Sequence, residues 1–187
     1  MCVVSGCGRF GFESDQAGIG QLDAASDTVV ADASADLVLC YSAFDGPIYV
    51  DDVVNSANLA AIQLRFDQAL RIRRLETFTG EVTGQSTLGI RDHDLSANLP
   101  GAERTSAQFG IVPAIGWQGV DLPIAVDIPA DTPFWFTLVP ANNAQAPIET
   151  NSGGASTDPA AQLYRVFFND AWNGPFREAW KLRVWCE

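Results

Sequence analysis

The single histidine of this chain, His93, lies between two carboxylates in Arg91-Asp92-His93-Asp94. An imidazole beside two acids has the groups needed for proton transfer or for a metal ion. On a strand, adjacent side chains point to opposite faces, so the three converge only if the segment is a loop. The segment reads as a solvated loop. No Gly-x-Ser-x-Gly nucleophile elbow and no His-Glu-x-x-His occurs, and a copper site built on several histidines is excluded by count. Paired carboxylates for glycoside hydrolysis have no local motif. Asp51, Asp52, Asp121, Asp127 and Asp131 are the candidates, and most fall at turns or strand ends, where acids serve as solvated turn residues. No catalytic residue is assigned on this basis. Acid-rich loops suit a structural calcium ion, but no EF-hand spacing is present, so no ligand set can be chosen.

Aromatic residues are the better lead. Of the five tryptophans, Trp172 lies in Asn169-Asp170-Ala171-Trp172-Asn173-Gly174, a stretch with turn chemistry that reads as a polar loop. An indole covers the apolar face of a sugar ring, and Asn169, Asp170 and Asn173 could bind its hydroxyls. The plainer role for Trp172 is to fold back and close one end of the domain. Trp135 is a second candidate, although apolar residues on both sides of its strand favour burial. Carbohydrate is therefore the leading ligand class. A protein partner is the alternative, because Arg65, Arg71, Arg73, Arg165, Lys181 and Arg183 occupy strand positions opposite an apolar face and are expected to line one outer sheet. Long cationic side chains there also cover exposed sheet and discourage edge pairing.

The elements that must position these groups are strands. Ile62 to Phe66, Leu70 to Arg73, Thr87 to Arg91, Val120 to Leu122, Ala125 to Ile128, Phe134 to Val139, Leu163 to Phe168 and Lys181 to Cys186 carry apolar residues at period two or in dense runs. Gly, Pro, Asn and Asp cluster between them, which points to an all-β, antiparallel β-sandwich or barrel. Val53 to Ala61 is the one stretch read as a turn or two of helix. No run approaches the 18 or so apolar residues of a membrane-spanning helix. The domain is expected over residues 37–187. Residues 1–36 precede it, and the stretch from Glu13 to Asp36 has six acids, no base and no aromatic residue, a composition expected to be disordered. The net charge of −12 is uneven: residues 1–52 hold nine acids against one base, and the remainder fourteen against ten. Without a basic footprint, nucleic acid is not expected as a partner.

On the last strand Trp180, Leu182, Val184 and Cys186 share one face, and Lys181, Arg183 and Trp185 share the other. Cys40 lies near the end of the first strand, Leu37 to Tyr41. A disulfide from Cys40 to Cys186 joining the terminal strands is expected, worth on the order of 4–5 kcal/mol by loop-closure entropy. Two buried free thiols are the alternative. The spacing of the four cysteines fits no zinc site.

Two resemblances extend this reading. Val4-Ser5-Gly6-Cys7 resembles the lipobox of bacterial lipoproteins, an aliphatic residue and two small residues before the cysteine that is acylated. The resemblance implies lipidation of Cys7 and an exported protein tethered at the cell surface by the acidic stretch. In that case Cys2 is removed; otherwise Cys2–Cys7 is a second bridge. Further on, Ile62 to Phe66, a polar loop at Asn98-Leu99-Pro100-Gly101, Trp117 to Leu122, Pro129 to Leu138 and Tyr164 to Val184 follow an order similar to that of bacterial secreted jelly-roll domains. Over residues 60–186 this implies a jelly-roll β-sandwich, a fold that often serves as an accessory or carbohydrate-binding module. A non-catalytic surface protein is thus expected, with an adhesive subunit or a small glycan hydrolase as alternatives.

Overall fold

The computed structural model describes residues 36–43, 51–55, 58–141, 144–149, 161–168, 171–176 and 180–187. The expected tether and Cys7 lie outside these residues, apart from Asp36 at its end. Among the described residues every named element is a strand, and all pairings are antiparallel.

One sheet has the order β1 (Val38–Ala43), β12 (Leu182–Cys186), β4 (Leu70–Thr79), β7 (Gly116–Ile128). The other runs β11 (Ala171–Phe176), β10 (Ala161–Phe168), β3 (Asn58–Leu64), β8 (Phe134–Pro140), β5 (Ser86–Asp94), β6 (Leu99–Phe109). A ribbon of β2 (Asp51–Asn55) and β9 (Gln145–Glu149) joins them through single pairs, Asn55 with Asn58 and Thr79 with Ile148.

Period-two alternation decides which face of each sheet is inside. On β12, Leu182, Val184 and Cys186 are buried while Arg183 and Trp185 are half-exposed. On β8, Phe134, Phe136 and Leu138 enter the core, joined by Ile62 and Leu64 of β3 and Leu88 and Ile90 of β5. Leu75, Val120 and Leu122 come from the first sheet. The apolar faces of both sheets thus share one core, as in a sandwich. Phe136 meets Trp180 edge-to-face at 5.0 Å, and Tyr41 meets Phe66 at 5.1 Å. Each such buried side chain contributes about 1.5–3 kcal/mol of transfer free energy. The indole N–H of Trp180, fully buried, donates to Thr77 Oγ1 at 2.5 Å, so the largest core residue leaves no polar atom unpaired.

The expected terminal bridge is present: Cys40 and Cys186 are bonded, with Cα atoms 5.9 Å apart and a sequence separation of 146. It joins β1 to the strand with which β1 pairs. Three local expectations change. Of the stretch Val53 to Ala61, the described residues are strand rather than helix: they supply the end of β2 and the start of β3, where Ala60 and Ala61 pair on both sides. Asp92-His93-Asp94 is not a loop but the end of β5. The Pro100-Gly101 pair is not in a loop either, and opens β6. The turn lies between these strands. Asp94 closes it by accepting from the Ser96 amide at 2.9 Å, the Ser96 hydroxyl at 2.7 Å and the Ala97 amide at 3.2 Å, while Asn98 takes a φ of 54°.

Candidate functional site

The outer face of the six-stranded sheet is assembled row by row through strand register. Gln63 pairs with Trp135, Trp135 with Arg91, and Arg91 with Glu103. The next row holds Ala61, Thr137, Gly89 and Ser106, and the one after it holds Val139, Thr87 and Gln108. These rows enclose a groove of about 420 Å³ lined by Thr87, Arg91, Glu103, Ser106, Thr137 and Val139, among others. Gly89 keeps its floor open: a Cβ there would lie 3.1 Å from Ser106 Cβ and 3.2 Å from Thr137 Oγ1.

The groove presents hydrogen-bonding groups of both kinds. Arg91 donates to the Gly101 carbonyl at 3.3 Å and approaches Glu103 at 3.5 Å. Glu103 also accepts from the Ser106 hydroxyl at 2.8 Å. Thr137, which is buried, donates to the Gly89 carbonyl at 3.3 Å. Among the described residues neither Thr87 nor Gln108 spends its side chain on an internal hydrogen bond.

The end of the first row is closed rather than open. Trp135 points away from the main core, yet it is 0% exposed. Its indole N–H donates to His93 Nδ1 at 3.1 Å, the two rings are stacked with centroids 6.1 Å apart, and Gln63 Nε2 reaches the same nitrogen at 2.8 Å. An indole nitrogen is only a donor, so His93 Nδ1 must be its acceptor and the imidazole proton sits on Nε2. With both ring faces covered, Trp135 is not a solvent-facing stacking platform. His93 has a definite role, as the polar partner of a buried tryptophan.

Trp172 stands elsewhere on the same face. It is on β11, not in a loop, and is half-exposed. Trp172 pairs with Phe167, Phe167 pairs with Leu59, and Leu59 is one step beyond the Ala60–Leu138 pair, opposite Val139. Residues directly opposite in register share a face. The row from Gln108 and Thr87 through Val139 and Leu59 therefore ends at Trp172, across five interstrand spacings, or roughly 24 Å. Asn173, the next residue, belongs to the opposite face, and its Nδ2 donates to the Ala171 carbonyl at 3.0 Å. Trp172 and Asn173 are thus not brought together. Asn169 and Asp170 lie outside the described residues.

Thr87, Arg91, Glu103, Ser106 and Thr137 escaped the sequence reading because each is an ordinary outward polar residue on an alternating strand. The one signal was Gly89, whose place inside an alternating strand marks close approach.

The cationic residues do not line a single sheet. Arg71, Arg73, Lys181 and Arg183 lie on the outer face of the first sheet, but Arg65 follows β3 of the second. Arg165 is on β10. Most are spent internally. Arg71 binds Glu187 at 2.9 Å and Asp127 at 3.1 Å, and these hydrogen bonds raise its pKa. Arg74 binds Glu76 and Asp121, each at 3.0 Å, and Arg65 binds Asp131 at 3.1 Å. Arg183 lies 3.8 Å over the Trp117 ring, and Lys181 lies 4.4 Å over Phe78. Thus Asp121, Asp127 and Asp131 are all held by arginines. Among the described residues no three His, Cys, Asp or Glu side chains gather where they could hold a metal ion. No protein-family model and no curated protein matches this chain.

Proposed function

We propose that this chain is a non-catalytic glycan-binding module of jelly-roll type, exported and displayed at a bacterial cell surface. The observation that carries the binding role is the register row that joins Trp172 to the groove of Thr87, Arg91, Glu103, Ser106 and Thr137 on one sheet face. A half-exposed indole at one edge supplies an apolar surface for a sugar ring. Paired donors and acceptors across the sheet supply the hydroxyl contacts that orient it. A row of roughly 24 Å suits a chain of sugars lying across the strands better than a single ring.

The jelly-roll reading is supported by strand order. With β2, β9, β10 and β11 set aside, eight strands remain, and in chain order the two sheets read 1-8-3-6 and 2-7-4-5. That order arises when one long antiparallel ribbon, pairing 1 with 8, 2 with 7, 3 with 6 and 4 with 5, rolls up on itself. Export is supported by the Cys40–Cys186 bond, which persists in oxidising compartments, and by the lipobox-like Val4-Ser5-Gly6-Cys7. A second reading, a protein-binding adhesive role, is favoured by the cation–aromatic cluster of Phe78, Trp117, Lys181 and Arg183 on the other sheet. The hydrolase reading has less support, since arginines hold the candidate carboxylates whose side chains are described.

The test is a polysaccharide array probed with wild type and Trp172→Ala. Loss of a stacked ring contact, about 1–1.5 kcal/mol, should weaken binding about tenfold. An array on which neither protein binds any glycan sinks the proposal, and hydrolysis of a bound glycan would replace it with the enzyme reading.

A further inference from the structure

Resting on that reading, we infer that the groove selects uncharged oligosaccharides and discriminates against uronic-acid or sulfated ones. The two ionic groups that line it are spent on each other. Arg91 faces Glu103 at 3.5 Å and gives a second donor to the Gly101 carbonyl, while Glu103 takes the Ser106 hydroxyl at 2.8 Å. The next carboxylate on β5, Asp92, is ion-paired with Arg104 through Nε, and Arg104 Nη1 donates to the Asp127 carbonyl at 3.0 Å. Among the described side chains that line the groove, Arg91 is the one cation, and it already faces a carboxylate. What remains are the neutral side chains of Thr87 and Gln108, which match alcohol hydroxyls as donors and acceptors. An acidic sugar would also bring its charge against a chain of net charge −12. Specificity here comes from repulsion and from the lack of an unpaired cation as much as from attraction.

The pairing can be undone at one position. Glu103→Gln keeps the side-chain length and an oxygen able to accept from Ser106, but it removes the charge that occupies Arg91. Glu103 is substantially exposed, with 45% of its side-chain surface accessible, so the fold does not depend on its charge. The experiment is calorimetric titration of wild type, Glu103→Gln and Trp172→Ala with neutral xylo- and manno-oligosaccharides and with oligogalacturonides, each at low and high salt. Wild type should bind a neutral series with affinity insensitive to salt. Glu103→Gln should gain about tenfold for oligogalacturonides through a new charge-assisted hydrogen bond, and that gain should fade in high salt. If wild type prefers oligogalacturonides, with affinity that falls as salt rises and with Trp172→Ala weaker, the selectivity is wrong and the glycan reading stands. If Glu103→Gln gains nothing for the acidic series, the charge pairing does not set selectivity and the inference falls. Binding to neither series, by any of the three proteins, overturns the inference together with the reading beneath it.

Discussion

Replacing both cysteines, Cys40→Ala with Cys186→Ala, should cost this domain a large share of its stability. The bond closes a loop of 146 residues, and the chain-entropy relation gives about 5 kcal/mol for a loop of that length. Cys186 is 7% exposed and packs on the core, so losing its sulfur adds a packing cost of about 1 kcal/mol. Against the 5–15 kcal/mol typical of whole domains, such a loss is a third or more of the total. For a domain of this size it corresponds to a fall in Tm of roughly 10–20 °C. Guanidinium unfolding followed by tryptophan fluorescence is the assay, with Trp180 as a core reporter. The dependence on denaturant should also steepen, because the freed unfolded chain expands and exposes more surface. Hydrogen exchange should rise first in β1, which pairs with β12 alone. A loss below about 1 kcal/mol, in protein whose wild type has the bond formed by intact mass, would refute the loop-entropy reasoning. Free thiols at Cys40 and Cys186 in oxidised protein would refute the pairing itself.

Other outcomes follow from single contacts. His93→Ala leaves the buried Trp135 N–H without its acceptor and should cost about 1–3 kcal/mol in urea unfolding; an unchanged midpoint would mean that the indole finds another partner. The Asp94 carboxyl is held below its ordinary pKa, first by the Ser96 hydroxyl and then by the Ala97 and Ser96 amides. A lowered folded pKa stabilises the fold above the unfolded value and loses that contribution as pH falls through the folded one. Wild type should therefore exceed Asp94→Asn in stability at neutral pH and converge with it on acidification below about pH 4. A gap that persists unchanged in acid would show that the turn does not depend on the carboxylate charge.

Alternation made much of the fold legible. Leu182, Val184 and Cys186 are inward and Arg183 and Trp185 outward on β12, as period two requires. The same rule turned Cys186 inward, and with Cys40 on the first strand it led to the expected pairing, which the bond bears out. It failed at Val53 to Ala61, where alanine-rich sequence has no strong period of either kind and pairing with β8 and β10 decided the outcome. It failed again at Trp172, because turn-forming neighbours concealed a strand whose partner is β10.

By itself the sequence determined the strand class, the inward and outward residues of the clearest strands, and the acidic charge balance, and it pointed to the two cysteines that meet. These are local or compositional properties, readable along the chain. Only the tertiary structure decided that Trp135 is covered by His93 and Gln63, that Trp172 shares a face with Thr87 while Asn173 does not, and that Arg91 and Glu103 neutralise each other within one groove. Each depends on register between strands that are distant in sequence. A shift of one residue in that register would turn every side chain to the other face, and nothing within a single strand specifies it.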